Sequence, residues 1–453
     1  MSGVRLLANG MVGLGFSYRG FQAGLALEPD MIGCDAGTAD TGPGPLGSGL
    51  PPKGKLAVAC DLRIMLRGAR ELGVPLVIGS CGGAGADPHL EATRDILVEI
   101  AREDGHHLRL ALVHAEQDRR AVVTALREGR IRPLGPVPEL TVEAVEASSH
   151  IVGMMGAQPL IDALDAGADV VLAGRATDPA IFASAALRHG VAPGPAWHAA
   201  KSIDKGALAT EAPMEGSPVL ATVDDDGFVV EPTKVGARCT VASVAGITMH
   251  ENPDPWSIYQ PSGAITSRHA TYEQLDERRV RVTGSEFMPA ATPSIKLEGA
   301  RLVGHRAIMI AGVRDPRLLA RLDDFLAAYR ALLEKVFASL GVAEGDYRLL
   351  LRVYGRDGVM GRFEPQPDVL GKEVCLIVDV VADDPELAYT LASRAGSTGT
   401  RFDFTGRLGN GANFAYPFSL PVIRVGPVYE WSVWHLLDTP DEAAPFELEL
   451  VEL

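Results

Sequence analysis

The chain has 453 residues, 47% hydrophobic and 22% charged, which is ordinary for a globular protein of two or three domains. Its net charge of −16 repels nucleic acid and anionic membranes, and no apolar run is long enough to span a bilayer. Five cysteines stand scattered with no C-x-x-C pair. They point to reduced thiols in a cytoplasm and away from a finger-type zinc site, and the first residues lack the pattern of a secretory signal.

Val4 to Asn9 reads as the first strand, residues 18–28 as a helix and Met31 to Asp35 as a second strand. That strand runs into a long Gly-, Pro- and Thr-rich loop. Asp35, Thr38 and Asp40 stand where the strand gives out, at the carboxyl edge where α/β proteins bind ligands. The same loop also reads as a mobile surface segment with turn-forming Asp residues. A helix follows over residues 56–72.

Val74-Pro75-Leu76-Val77-Ile78 is a β-branched apolar run, followed by Gly79-Ser80-Cys81-Gly82-Gly83-Ala84-Gly85 and then Asp87-Pro88. Strand, glycine loop and helix start aim free N–H groups at one spot, which suits a phosphate or carboxylate. Asp87 fits the N-cap and Pro88 the first helical position. A plain strand-to-helix turn uses glycine too, although four in seven residues exceed what it needs. Cys81 in that loop is either a thiol activated by the helix end or a small buried residue.

Leu108 to Val113 is the next strand, ending at His114-Ala115-Glu116, with a helix over about 118–128. His150 to Gly156 and Ala168 to Ala173 are further strands, each followed by a helix. Gly174-Arg175-Ala176-Thr177-Asp178-Pro179 repeats the Asp-Pro helix start, with Arg175 and Thr177 able to grip an anion. His114 and His150 read as either packing or catalytic residues. Six strand–helix alternations predict an α/β fold: a doubly wound, mostly parallel sheet over residues 1–215.

After about residue 215 the pattern changes, and residues 216–453 read as an α+β domain. Pro218 to Val230 is a hairpin whose Asp224-Asp225-Asp226-Gly227 turn fits solvated turn chemistry better than a calcium loop. Residues 239–310 carry short β-like runs, and residues 316–340 carry the spacing of one long amphipathic helix. His250-Glu251 falls in a loop that could reach a cleft.

Several blocks resemble the acyclic terpene utilisation A family. They are Ile295-Lys296-Leu297-Glu298-Gly299-Ala300, Ile308 to Pro316, Arg352 to Gly361, Asn413 to Ser419 and Gly426-Pro427-Val428-Tyr429. The resemblance implies catabolism of carboxylic or acyl-CoA acids such as those derived from citronellol and geraniol. It also implies a small ferredoxin-fold partner, here expected as a separate chain.

The residues carry no G-x-S-x-G elbow, no H-E-x-x-H and no lysine-anchored cofactor motif. We therefore expect a lyase or hydratase acting on a small anionic substrate, a carboxylate or acyl-CoA. Its catalytic groups would be Asp35, Asp40 and Glu116. Its binding groups would be Thr38, Ser80, Gly82, Gly83, Arg175, Thr177 and Asp178, with Asn410 or Asn413 closing the cleft. The alternative is a non-catalytic binding subunit. No metal is expected and the cofactor is unknown. The aromatic stretch through Trp431 and Trp434 suggests a homo-oligomer.

Overall fold

The computed structural model describes residues 3–212, 216–252, 254 and 256–453. The chain divides into two compact units, one of residues 1–301 and 430–453, the other of residues 302–429. This division differs from a boundary near 215. The hairpin that the pattern assigned to a second domain belongs to the first sheet.

Five strands form the parallel part of the first unit: β1 (Val4–Met11), β2 (Met31–Asp35), β3 (Leu76–Gly79), β4 (Arg109–Val113) and β5 (Val170–Ala173). Their spatial order is β1-β2-β3-β5-β4, with every neighbour parallel. β5, last in the chain, slips between β3 and β4. The hairpin β6 (Val219–Asp224) and β7 (Gly227–Pro232) adds to β1 in antiparallel sense. Val280–Thr283 and Thr271–Gln274 continue it outward, and Leu448–Glu452 closes the far edge beside β4. The sheet of ten strands is therefore mixed, with a parallel centre and antiparallel flanks.

Alternate residues of the central strands feed two cores. Leu76 and Ile78 pack on one face with α1 (Tyr18–Leu25), α2 (Lys55–Leu72) and α3 (Asp87–Asp104). Val77, Val171 and Ala173 pack on the other with α4 (Gln158–Asp165), α5 (Asp178–Arg188) and α6 (Pro193–Ile203). Period-two alternation with both faces apolar gives the near-continuous hydrophobic runs seen in the sequence. One expected strand does not join this sheet. His150–Met154 pairs antiparallel with residues 296–300 of β8 (Ser294–Val313) instead.

The hairpin turn supplies its own ligand. Asp224 Oδ1 accepts from the N–H groups of Asp226 and Gly227, so the first aspartate of the acidic run is spent on turn geometry, while Asp225 Oδ1 accepts from the Ala192 N–H.

In the second unit the chain order is β8, α7 (Leu322–Ser339), β9 (Tyr347–Tyr354), β10 (Val374–Ala382), α8 (Pro385–Arg401) and β11 (Val422–Asp438). The strands lie in the order β9-β10-β8-β11, and β10 is antiparallel to both β8 and β9. This is the split βαββαβ, ferredoxin-like arrangement. Its core joins Met309 and Val378 to Phe325, Tyr329 and Leu391 of the helices. The expected single helix over 316–340 is two, Pro316–Leu319 and Leu322–Ser339. Asp315 caps the first, and Arg321 leaves helical geometry at φ −131° between them.

Candidate functional site

The carboxyl ends of β2, β3 and β5 deliver Asp35, Ser80 and Arg175 to one edge of the sheet. Ser80 sits in the left-handed region at φ 49°, a conformation costly for a residue with a Cβ. The turn aims its hydroxyl inward. Ser80 Oγ accepts from Arg175 Nη1 at 3.2 Å and from the Ala176 N–H at 3.3 Å, and donates to the Ala176 carbonyl at 3.2 Å. The expected meeting of Ser80 and Arg175 is therefore a direct hydrogen bond.

Arg175 is 6% exposed and carries a buried carboxylate that the pattern reading did not place, Glu298. Nε and Nη2 of Arg175 donate to the two oxygens of Glu298 at 3.0 and 3.3 Å, a bidentate fork. Lys296 Nζ reaches the same carboxylate at 2.7 Å, while lying 3.4 Å from the ring centroid of Trp434. Burial pushes the Glu298 carboxyl up, but Arg175 and then Lys296 outweigh it and hold it down to about 2. The Lys296 ammonium goes the other way: burial pulls it below the ordinary lysine value. Two cations thus share one carboxylate, and one positive charge is left over. Asp40, exposed on the loop after β2, acts on Lys296 only as a charge through space.

A second ion cluster adjoins the first. Lys205 Nζ donates to Asp178 Oδ2 at 2.5 Å and lies 3.5 Å from Glu251. Lys201 Nζ bonds Asp204 Oδ2 at 3.0 Å. Burial raises Asp204 to about 6. Asp35 is 1% exposed; burial first, and then the charge of Asp178, push its carboxyl well above the usual range. Its Oδ1 accepts from the Gly37 N–H at 3.3 Å, and Oδ2 has no partner among the described residues. Burial thus favours the protonated form of the Asp35 carboxyl.

The expected anion cradle at the glycine loop is filled from within. The Asp87 N–H donates to Glu116 Oε2 at 3.1 Å, Pro88 has no N–H, and the His89 N–H bonds the Ala86 carbonyl. Asp87 and Asp178 are the first helical residues, after Ala86 and Thr177 at the cap positions, so each helix begins one residue earlier than expected. The glycines serve close packing: a Cβ on Gly85 would stand 2.2 Å from the Arg175 nitrogen, and one on Gly37 1.7 Å from the Gly83 carbonyl oxygen. Gly82 lies against the His89 backbone in the same way. Burial raises the Cys81 thiol far above its ordinary value, which makes it an inert core residue.

Glu116 is a helix-end ligand that also accepts from His150 Nδ1 at 2.7 Å. His114 Nδ1 bonds Asp87 Oδ1 at 2.8 Å. Thr38 Oγ1 accepts from the Asp40 N–H, a local turn bond. Asn413 donates its amide to the Gly399 and Phe402 carbonyls of the second unit, and Asn410 is exposed. The two tryptophans expected at an interface are half-buried within the first unit, their rings 4.9 Å apart.

A cleft of roughly 650 Å³ opens onto the first cluster through Lys296 and Thr177, the latter bonded to Gln260 at 2.8 Å. Its walls are largely apolar, from Met154, Leu134, Ala264 and Met288, and Arg132 stands among them, its Nη2 donating to Asp438 Oδ1 at 3.1 Å. Lys296, Glu298 and Arg132 are the residues that pattern reading missed. The available signal was Lys-x-Glu on a strand, which puts both side chains on one face. No helix among the described residues is long and apolar enough to cross a membrane.

Comparison with known proteins agrees with the sequence blocks. No curated protein and no solved structure matches the chain. The family model described as acyclic terpene utilisation family protein AtuA matches residues 58–406, which include the glycine loop, Arg175, Lys296 and Glu298. The chain belongs to the acyclic terpene utilisation AtuA family.

Proposed function

We propose that the protein is a catabolic enzyme of the lyase or hydratase type, acting on a small carboxylate or an acyl-CoA acid. One observation carries this reading: the uncompensated positive charge of the Arg175–Glu298–Lys296 group at an apolar-walled cleft. A carboxylate entering there restores neutrality, and the apolar walls favour its hydrocarbon part. Lys296 holds the anion, with the donors of Arg132 other than the Nη2 that bonds Asp438. Arg175 is a positioning group, since its fork is spent on Glu298 and Ser80. Asp35, whose carboxyl burial pushes toward keeping its proton, supplies the proton that addition of water or elimination requires.

The test is a thermal-shift and calorimetric panel of short and medium carboxylates, with and without a CoA thioester, on wild type and Lys296→Met. Saturable binding that Lys296→Met abolishes is the expected result, with turnover read by mass spectrometry. Equal binding by both proteins would refute the reading.

A second reading, a non-catalytic binding subunit working with a small ferredoxin-fold protein, draws on how fully the charged edge is paired. Arg175, Glu116, Asp178 and Lys205 all have partners. Turnover that needs the partner chain would favour it. Homo-oligomerisation belongs to the proposal as well, and light scattering giving a mass near the 47.9 kDa of one chain would remove it.

A further inference from the structure

The charge arithmetic at Lys296 goes beyond anion binding. Arg175 already neutralises Glu298 through two hydrogen bonds, and a guanidinium does not give up its proton. If the half-buried group is to shed its surplus charge, only Lys296 can do so. Its side chain is 18% exposed and stands on the cleft wall, and its stem end is pinned from two sides by Glu298 and the Trp434 ring. An amine that is desolvated, adjacent to a second cation and oriented toward an apolar cleft has the environment that makes lysine a nucleophile toward carbonyl carbon. Burial does lower its affinity for a proton, in keeping with the geometry.

We propose that Lys296 forms an imine with the ketone of an oxo acid bound in this cleft, Arg132 receiving the carboxylate. This rests on the carboxylate reading above and narrows the substrate to acids with a nearby ketone. In the step, the Lys296 nitrogen adds to the carbonyl carbon. The C–O bond then breaks, and the oxygen leaves as water with two protons from the ammonium, so that ammonium and ketone become a protonated imine and water. The iminium then accepts the electron pair of the neighbouring bond that breaks, which for a 3-oxo acid is the bond to the carboxylate, lost as carbon dioxide. No oxidant, reductant or metal enters. Glu298 takes no proton; with the Trp434 ring it fixes the nitrogen.

The experiment is trapping with borohydride, which turns a protein imine into a stable secondary amine. The whole chain is incubated with acetoacetate, pyruvate or 2-oxooctanoate, reduced, and read by intact mass and peptide mapping. Thermal shifts with the same acids are recorded in parallel. The expected result is one adduct on the peptide containing Lys296, absent in Lys296→Arg, which keeps the ion pair with Glu298 and serves as the folded control. Amine acylation at Lys296 should also set in at lower pH than at the exposed lysines. Thermal shifts without an adduct at Lys296 would overturn the imine while leaving carboxylate binding intact. Absence of both would overturn both. Adducts confined to other lysines would overturn the imine alone.

Discussion

Two helix starts in this protein carry the same local sequence, Asp-Pro after a strand and a glycine turn, and end in different chemistry. At Asp87 the helix end faces a partly exposed group: Asp87 is paired with His114, and Glu116 caps the Asp87 N–H and holds His150. At Asp178 the carboxylate turns into a buried cluster with Lys205, within electrostatic range of Asp35 and Asp204. Proline at the second helical position and an acidic first turn fix the helix start in both cases. What the carboxylate does next depends on residues far away in the chain: His114 is 27 positions from Asp87, and Lys205 is 27 from Asp178. Local grammar determines where the helix begins, and tertiary pairing determines whether that end becomes a solvent-facing switch or part of a charged interior.

The sharpest way to separate the two ends is to break the ion group beside Asp178. Glu298→Ala would leave Arg175 and Lys296 buried without a counter-charge. It should destabilise the fold by about 3–5 kcal/mol, as for other broken buried pairs, measured by urea denaturation. The pH dependence follows in sign. Glu298 has a folded value of about 2, below its unfolded value near 4.3. Its contribution is present in full above the unfolded value and is lost as pH falls toward the folded one. A loss under about 1 kcal/mol would show that the group is not buried as described.

Asp178→Asn comes next. Among the described residues, Lys205 would keep a single ion pair, the longer one with Glu251. A loss of about 1.5–3 kcal/mol is expected, the range of a charge-assisted hydrogen bond. Asp35 should also titrate lower, since the charge of Asp178 raises it. Carbon-detected NMR of the Asp35 carboxyl reads this directly, and an unchanged titration would separate Asp35 from this cluster.

These pairs mark how far the sequence could be read. The parallel centre was legible because β2, β3 and β5 are apolar on both faces and end at glycine or small polar residues. The edge position of Asp35, Ser80 and Arg175 follows from that topology alone. Glu298 was not legible as the partner of Arg175, because 123 residues separate them and its strand pairs with His150–Met154 outside the parallel sheet. The glycine loop is ambiguous in sequence for a physical reason: glycine that admits a ligand and glycine that admits a neighbouring backbone look alike, and Gly85 serves the latter against Arg175. The hairpin at Asp224 was recognised as a hairpin but assigned to the wrong body, since turn chemistry does not say which edge a hairpin will join.

The solvent-facing end should give the gentler, pH-dependent effect. His150 is raised above its ordinary value first by the hydrogen bond to Glu116; for His114, burial pulls down, but the bond to Asp87 outweighs it. A histidine raised on folding stabilises most below its unfolded value near 6.5 and loses that contribution as pH climbs through the folded value. Wild type should therefore lose stability between pH 6 and pH 8.5 on the order of 1 kcal/mol, the scale of a partly buried helix-end charge.

The smallest effect, and the one that tests the comparison most narrowly, is Asp87→Asn. Asp87 is 40% exposed at its side chain, so the pair with His114 is screened and on the order of 0.5 kcal/mol is expected at pH 6. At pH 8.5 the substitution should cost less, because the pair weakens as His114 gives up its proton. Glu116 still caps the Asp87 N–H in this variant, so the helix start itself is untouched. Urea midpoints for both proteins at the two pH values decide it. A loss at Asp87 as large as that at Asp178, and independent of pH, would mean that the two ends are equivalent after all and that the Asp-Pro start, not the distant partner, sets the energetics.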